Sequence, residues 1–264
     1  MTPVLVFDIE TIPDIAGLRA AWDLADLPSD EAVALAAFER RRQKTGGSDF
    51  LPHHLHRVVA ISCVFRDGDG VRVRSLGTPQ ADEVRLIQDF YRTVDRYTPR
   101  IVSWNGGGFD LPVLNYRALR HGIASARYWD TGDGDREFRF NNYLNRYHSR
   151  HLDLMDVLAM FTGRANAPLD EVAKLCGFPG KLGMDGSQVW DTWRAGGIDA
   201  IRDYCETDVA NTWLVYCRFL LISGQLSRAE YDGELALFRD TLGKLPGAHW
   251  VEYLNAWPVA PGDC

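Results

Sequence analysis

Apolar positions are spaced differently in the early and late parts of this chain. Short apolar runs rich in β-branched residues at 4–7, 58–65, 71–76 and 101–104 predict strands. Beyond residue 76 the apolar positions recur at helical spacing and predict helices over 82–97, 111–121, 154–161, 169–176, 198–222 and 228–242. Strands first and helices later, with one strand-to-helix alternation, predict an α/β fold: a mixed sheet packed by helices. Residues 14–50, rich in Ala, Leu, Glu and Arg, read as a helical insertion that ends in Thr45-Gly46-Gly47-Ser48. Residues 130–150 contain Gly132, Gly134 and many polar side chains and read as a long loop or irregular hairpin. The stretch 245–264 has three prolines and reads as an extended tail. No internal repeat or low-complexity tract interrupts the pattern.

Composition narrows the class. With 264 residues and 46% hydrophobic content, the chain can bury one large α/β core, with or without appendages. The apolar run at 4–7 leads straight into Asp8 and Glu10 without a basic start, and no apolar stretch approaches the roughly 20 residues of a membrane span. The expectation is a soluble, cytoplasmic protein with no membrane partner. Five cysteines, scattered and never spaced as Cys-x-x-Cys, indicate neither a disulfide framework nor a zinc knuckle. A formal charge of -7 argues against coating nucleic acid by bulk electrostatics. It leaves room for an acidic metal site with a local basic strip beside it.

Three short patterns carry candidate chemistry. Asp8-Ile9-Glu10 follows the first strand, and alternation sends both acids to one face, where a divalent cation would relieve their repulsion. Alone, the pair also fits a solvated strand end. In Trp104-Asn105-Gly106-Gly107-Gly108-Phe109-Asp110 an apolar strand gives way to glycines and then a helix, so Asp110 sits at the junction, where it could cap the helix. Tyr204-Cys205-Glu206-Thr207-Asp208 places Tyr204 and Asp208 on one helix face through their spacing of four. A tyrosine at the core edge above a surface acid would look the same.

In this order, strand end, strand-to-helix turn and helix face, the patterns resemble the DEDD superfamily of 3′-to-5′ exonucleases, and most closely the proofreading exonuclease domain of family B DNA polymerases. The family motifs Asp-x-Glu, Asn-x-x-x-Phe-Asp and Tyr-x-x-x-Asp appear here as Asp8 to Glu10, Asn105 to Asp110, and Tyr204 to Asp208, and the resemblance covers residues 3–222. It implies a ribonuclease H-like mixed β-sheet flanked by helices, with Asp8, Glu10, Asp110 and Asp208 as metal-ligating carboxylates and Tyr204 positioning the attacking water. One branch of the superfamily has histidine five residues before the last Asp. Here that position is Asp203, which makes this the tyrosine branch, DEDDy. The stretch 151–156 is similar to the linker region of the polymerase domains, and Asp153 reads as a helix cap.

The expected activity is 3′-5′ exonucleolytic hydrolysis of single-stranded nucleic acid, DNA favoured, by two ions. Hard oxygen donors without cysteine or paired histidines favour Mg2+ or Mn2+. The same site would suit an exoribonuclease, and a protein keeping the fold without activity would be a binding protein. The expected unit is 1–222, containing the insertion, followed by a helix and tail over 223–264 too short for a polymerase, so any polymerase or repair factor would act in trans. Asn105 and Phe109 are candidate nucleic-acid contacts. So are Arg139, Tyr143 and Arg146, in a segment mixing cations and aromatics that suits unstacked bases and equally suits a packed hairpin. Arg40, Arg41, Arg42 and Lys44 read as a solvated basic helix face, and His53, His54 and His56 as loop histidines.

Overall fold

The computed structural model describes residues 2–258. Five strands form one sheet in the order β3-β2-β1-β4-β5. They are β1 (Val4–Pro13), β2 (His56–Asp67), β3 (Gly70–Ser75), β4 (Arg100–Ser103) and β5 (His151–Asp153). β1, β2 and β3 pair antiparallel, whereas β4 and β5 run parallel to β1, so the sheet is mixed. The helices are α1 (Ile15–Ala21), α2 (Asp30–Thr45), α3 (Glu83–Tyr97), α4 (Asp110–His121), α5 (Leu154–Leu158), α6 (Leu169–Leu175), α7 (Val189–Arg194), α8 (Ile198–Ile222), α9 (Arg228–Gly243) and α10 (Ala248–Ala256).

Strand alternation divides the core. Leu5, Phe7 and Ile9 of β1 face Phe90 and Val94 of α3 and Leu111 and Leu114 of α4. Val6, on the opposite face, packs under Val209, Ala210 and Trp213 of α8. Asp8 and Glu10 continue the face of Val6, so the strand's period points them toward the long helix that carries Tyr204 and Asp208. A register shift between Glu10 and Thr11 breaks the alternation just beyond the acids.

The sequence locates most elements, and four differ. β1 extends to Pro13, which puts Asp8 and Glu10 inside the strand. They are nonetheless at a sheet edge, because β4 pairs only with Val4–Val6 and leaves the rest of β1 open on that side. β5 is a three-residue strand where the sequence predicts none. α7 was not expected. Residues 245–264 are not simply a tail, because α10 seats Trp250 and Tyr253 in the core over α8; residues 259–264 lie outside the described part.

The insertion forms α1 and α2 with a small core of its own, Leu18, Val33, Ala37, Leu51 and Leu55. Its two ends meet, since Pro13 and His56 are cross-strand partners. The segment 130–150 is irregular apart from a short 3-10 turn at Arg136–Arg139. Among the described residues no helix is long and apolar enough to cross a membrane.

Candidate active site

Asp8, Glu10, Asp110, Tyr204 and Asp208 line one open cavity of about 590 Å³, together with Trp104, Asn105, Phe109, Met155 and Lys181. The acids arrive on three different elements. Asp8 and Glu10 come from the open edge of β1. The Ile9 N–H, which has no strand partner beyond the end of β4, donates to Asp110 Oδ1 at 3.2 Å. That bond closes the gap between strand and helix. It also means Asp110 is not the cap of α4: the cap position is Phe109, without a side-chain hydrogen bond, and Asp110 is the first helical residue facing the strand.

The turn before Asp110 is built around Asp153. Its Oδ1 accepts from Asn105 N at 2.9 Å and its Oδ2 from Gly107 N at 2.8 Å, while it also caps α5. Asn105 takes a left-handed backbone, φ 63°, a conformation asparagine tolerates better than most residues. The glycines are needed to fit the protein to itself: a Cβ on Gly106 would lie 2.3 Å from Ser103 Oγ, and one on Gly108 2.4 Å from Asn105 Oδ1.

Tyr204 and Asp208 share a face of α8, as a spacing of four requires. Beside them, in the same cavity wall, sits Lys181. Its Nζ donates to the Tyr204 hydroxyl at 2.5 Å and lies 3.4 Å from Asp208 Oδ2. The loop carrying it is fastened from both sides. Asn211, one turn beyond Asp208, bonds Gly180 through both its amide atoms, and Asp170 accepts from Lys181 N at 2.7 Å. Tyr253 of α10 donates to Asn211 Oδ1 at 2.9 Å, so the C-terminal helix braces this loop.

Electrostatically the centre is short of cations. Glu10, Asp110 and Asp208 are 8%, 4% and 6% exposed. Burial, then the charges of Asp110 and Asp208, holds the Asp8 carboxyl well above the usual carboxylate range. Burial and then Asp8 do the same to Glu10. Burial pushes Asp110 up to about 7, against hydrogen bonds from backbone N–H groups that favour its charged form. Asp208 is raised by burial and only partly relieved by Lys181. Its Oδ1 is buried with no hydrogen-bond partner. An orphaned buried oxygen among four acids facing one ammonium is a donor set that fits hard divalent cations.

Cys205 lies against Asp8, its Sγ 3.4 Å from the backbone oxygen. Burial and the Asp8 charge hold its thiol far above the ordinary range, so it donates weakly to Asp8, and its sulfur lies within 4.8 Å of an oxygen of Asp8 and of Glu10. Asp203 does not line the cavity. It pairs with His249 of α10 at 3.2 Å, and the same imidazole bonds Glu206 at 3.1 Å.

The remaining sequence candidates separate. Asn105 and Phe109 lie in the cavity wall. Tyr143 does not belong with them: it is 2% exposed, donates its hydroxyl to Pro99 O at 2.7 Å and stacks on Tyr128, a core role that keeps its ring from any nucleobase. Arg139 is exposed and away from the cavity, and Arg146 pairs with Asp156 at 2.7 Å. Lys181 and Cys205 were not singled out by sequence. The first is a lone lysine in Gly180-Lys181-Leu182-Gly183, and the second is hidden inside the Tyr204 motif.

A mixed sheet in this order, flanked by helices with acids converging at the open edge of its first strand, defines a ribonuclease H-like α/β fold with an acidic centre. A family model described as a predicted 3′-5′ exonuclease related to the exonuclease domain of PolB matches residues 48–257, and the chain belongs to this family. The matched region begins after Asp8 and Glu10, which reach the centre through the sheet. A DNA polymerase of Archaeoglobus fulgidus is 25% identical over 174 residues, 65% of this chain and 21% of the polymerase. The solved structure of the family B DNA polymerase from Pyrobaculum calidifontis superposes with a TM-score of 0.50 and 21% identity, covering 84% of this chain and 25% of that one. The chain thus spans about a fifth to a quarter of the length of these relatives.

Proposed function

We propose that this protein is a metal-dependent 3′-5′ exonuclease of the DEDDy type, hydrolysing phosphodiester bonds at single-stranded 3′ ends, with DNA as the favoured substrate. The observation that carries the reading is the convergence of Asp8, Glu10, Asp110 and Asp208 with Tyr204 in one cavity with a single lysine among its lining residues. These carboxylates would hold two divalent ions, and their hard oxygens favour magnesium or manganese. Bound there, the ions would lower the pKa of water and neutralise charge developing on the phosphoryl oxygens.

The chain's own groups then have definite tasks. Burial, with Asp208, Glu10 and Asp8 close by, holds the Tyr204 phenol far above its ordinary pKa, so it stays protonated and cannot serve as a general base at pH 7. Its oxygen accepts from Lys181, and its proton would be donated toward the Asp208 side of the cavity, to the carboxylate or to a water or phosphoryl oxygen beside it. Tyr204 is therefore an orienting group, and Lys181 fixes its rotamer while offsetting the charge of Asp208. Asn105 and Phe109 would grip the terminal nucleotide at the mouth. The catalytic unit would run beyond residue 222 to include α10, whose Tyr253 braces the loop of Lys181, and a polymerase or repair factor is a candidate partner.

The test is digestion of 5′-labelled single-stranded DNA and RNA by the purified protein with magnesium, manganese or chelator, alongside Asp8→Ala. A metal-dependent ladder shortening from the 3′ end, absent in the variant, is the expected result and selects the nucleic acid. Binding without cleavage under every condition would leave a nucleic-acid-binding protein instead.

A further inference from the structure

The insertion returns to the sheet beside the catalytic cavity, and its return segment presents Phe50. This ring is 52% exposed yet held in place. Arg41 Nε donates to the Phe50 carbonyl at 2.7 Å, and Ser48 Oγ accepts from its N–H at 3.3 Å. The ring itself packs on His56, centroids 5.0 Å apart, and on Phe109 at 5.3 Å. Arg41 thus has a task that a merely solvated basic face would not give it: it pins the segment that carries Phe50.

A single exposed ring is ordinary on a protein surface. Phe50 differs in what it touches, because Phe109 lines the cavity that holds the acids. Next along β1 after Glu10, Thr11 and Pro13 border a second groove with Phe50 and Trp190. Its charged lining is Glu31, Asp49, Asp191 and Arg194, the last paired with Glu31. The Phe50 and Phe109 rings are in direct contact at an interplanar angle of 58°, so no base can enter between them. Together they make one aromatic wall, in which Phe50 is the more exposed ring and Phe109 the half-buried one that lines the cavity.

We infer that this wall is a base-stacking subsite for single-stranded nucleic acid, with Phe50 receiving a nucleobase upstream of the scissile phosphate. The inference rests on the exonuclease reading above and extends it to a part of the chain that lies outside the acidic motifs. A phenyl face offers no hydrogen bonds, so the subsite accepts any base. It selects for an unpaired strand, since a base in a duplex is already stacked on its neighbours and cannot turn onto the ring. Holding the ring in place beforehand lowers the ordering cost of binding.

The experiment is an abasic scan. KM and kcat are measured for the full chain and for Phe50→Ala on 5′-labelled oligonucleotides that lack one base at each of the 3′-terminal positions in turn. In the wild type, removing the base at one position is expected to raise KM about tenfold. Phe50→Ala is expected to raise KM on the intact oligonucleotide by a similar factor and to erase the penalty at that position, while Phe50→Trp restores it. Should Phe50→Ala fail to fold in a thermal unfolding check, Phe50→Leu keeps the apolar bulk and removes the aromatic face. Base penalties equal in wild type and variant at every position overturn this inference and leave the exonuclease reading standing. Wild-type protein that neither binds nor cleaves any oligonucleotide overturns both.

Discussion

Two groups of buried carboxylates in this molecule are treated in opposite ways. Under α3 and α4, Glu83 and Asp14 are as deeply buried as Glu10, Asp110 and Asp208 of the cavity, and each is met by a guanidinium. Arg117 spans them, its Nε 2.7 Å from Glu83 Oε1 and its Nη1 reaching Asp14, while Arg120 lies 3.0 Å from Asp14 and His121 2.8 Å from Glu83. Glu83 also accepts from Val58 N at 2.7 Å. On the other side of the sheet, four acids share Lys181 and keep an orphaned oxygen. Where carboxylates only hold the fold together, the chain supplies arginines. Where they do not, it leaves a charge deficit that an external cation can fill.

The contrast can be broken or sharpened by experiment. The largest expected effect is on catalysis: Asp8→Ala should lower phosphodiester hydrolysis by about a thousandfold or more, given the several kcal/mol that bound ions contribute. Retention of the wild-type rate would remove Asp8 from the site. Next, Arg117→Ala strands two buried acids and should cost about 3 to 5 kcal/mol in denaturant unfolding. A loss below about 1 kcal/mol would mean that network is not the paired counterpart described. Tyr204→Phe should slow hydrolysis by about tenfold to a hundredfold while calorimetric metal binding stays intact. Parallel loss of both would make Tyr204 part of the metal cage.

The smallest effect is the most direct probe of the deficit. A carboxyl whose folded pKa is raised, such as Asp110 near 7, stabilises the fold fully below its unfolded value, and that contribution is lost as pH rises through the folded value. The metal-free protein should therefore melt at least about 2 °C lower at pH 8 than at pH 5. Magnesium should recover more at pH 8 than at pH 5, because only the ionised acids bind it. Equal stabilisation at both pH values would argue that the acids are not short of positive charge.

Much of this arrangement is written in local pattern. The period of β1 turns Asp8 and Glu10 to the face of Val6, and the apolar spacing of residues 198–222 marks α8 end to end, so the juxtaposition of the acids with Tyr204 and Asp208 is legible. Signals were also present and outweighed: Trp250, Tyr253, Leu254 and Trp257 follow helical spacing behind Pro246, yet the prolines suggested a tail. β5 offers three residues, two of them polar, and is held by its pairing to β4 and by the side-chain bonds of His151 and Asp153, all of them tertiary. Lys181 has no spacing signature, because its place is set by Asn211 and Asp170 across the tertiary structure. Composition cannot tell a tyrosine that stacks a base from one that fills a core, which is why Tyr143 misleads.

The meeting of Pro13 and His56 across the sheet has an engineering consequence. Everything between them leaves and re-enters at one point and packs around its own small core, and the entropy of closing such an excursion grows only slowly with its length. Residues 15–47 are therefore the part to swap or shorten so as to change what the mouth of the cavity presents, while 50–55, which rest on Phe109 and Tyr116 through Phe50, His53 and His54, stay in place beside the acids.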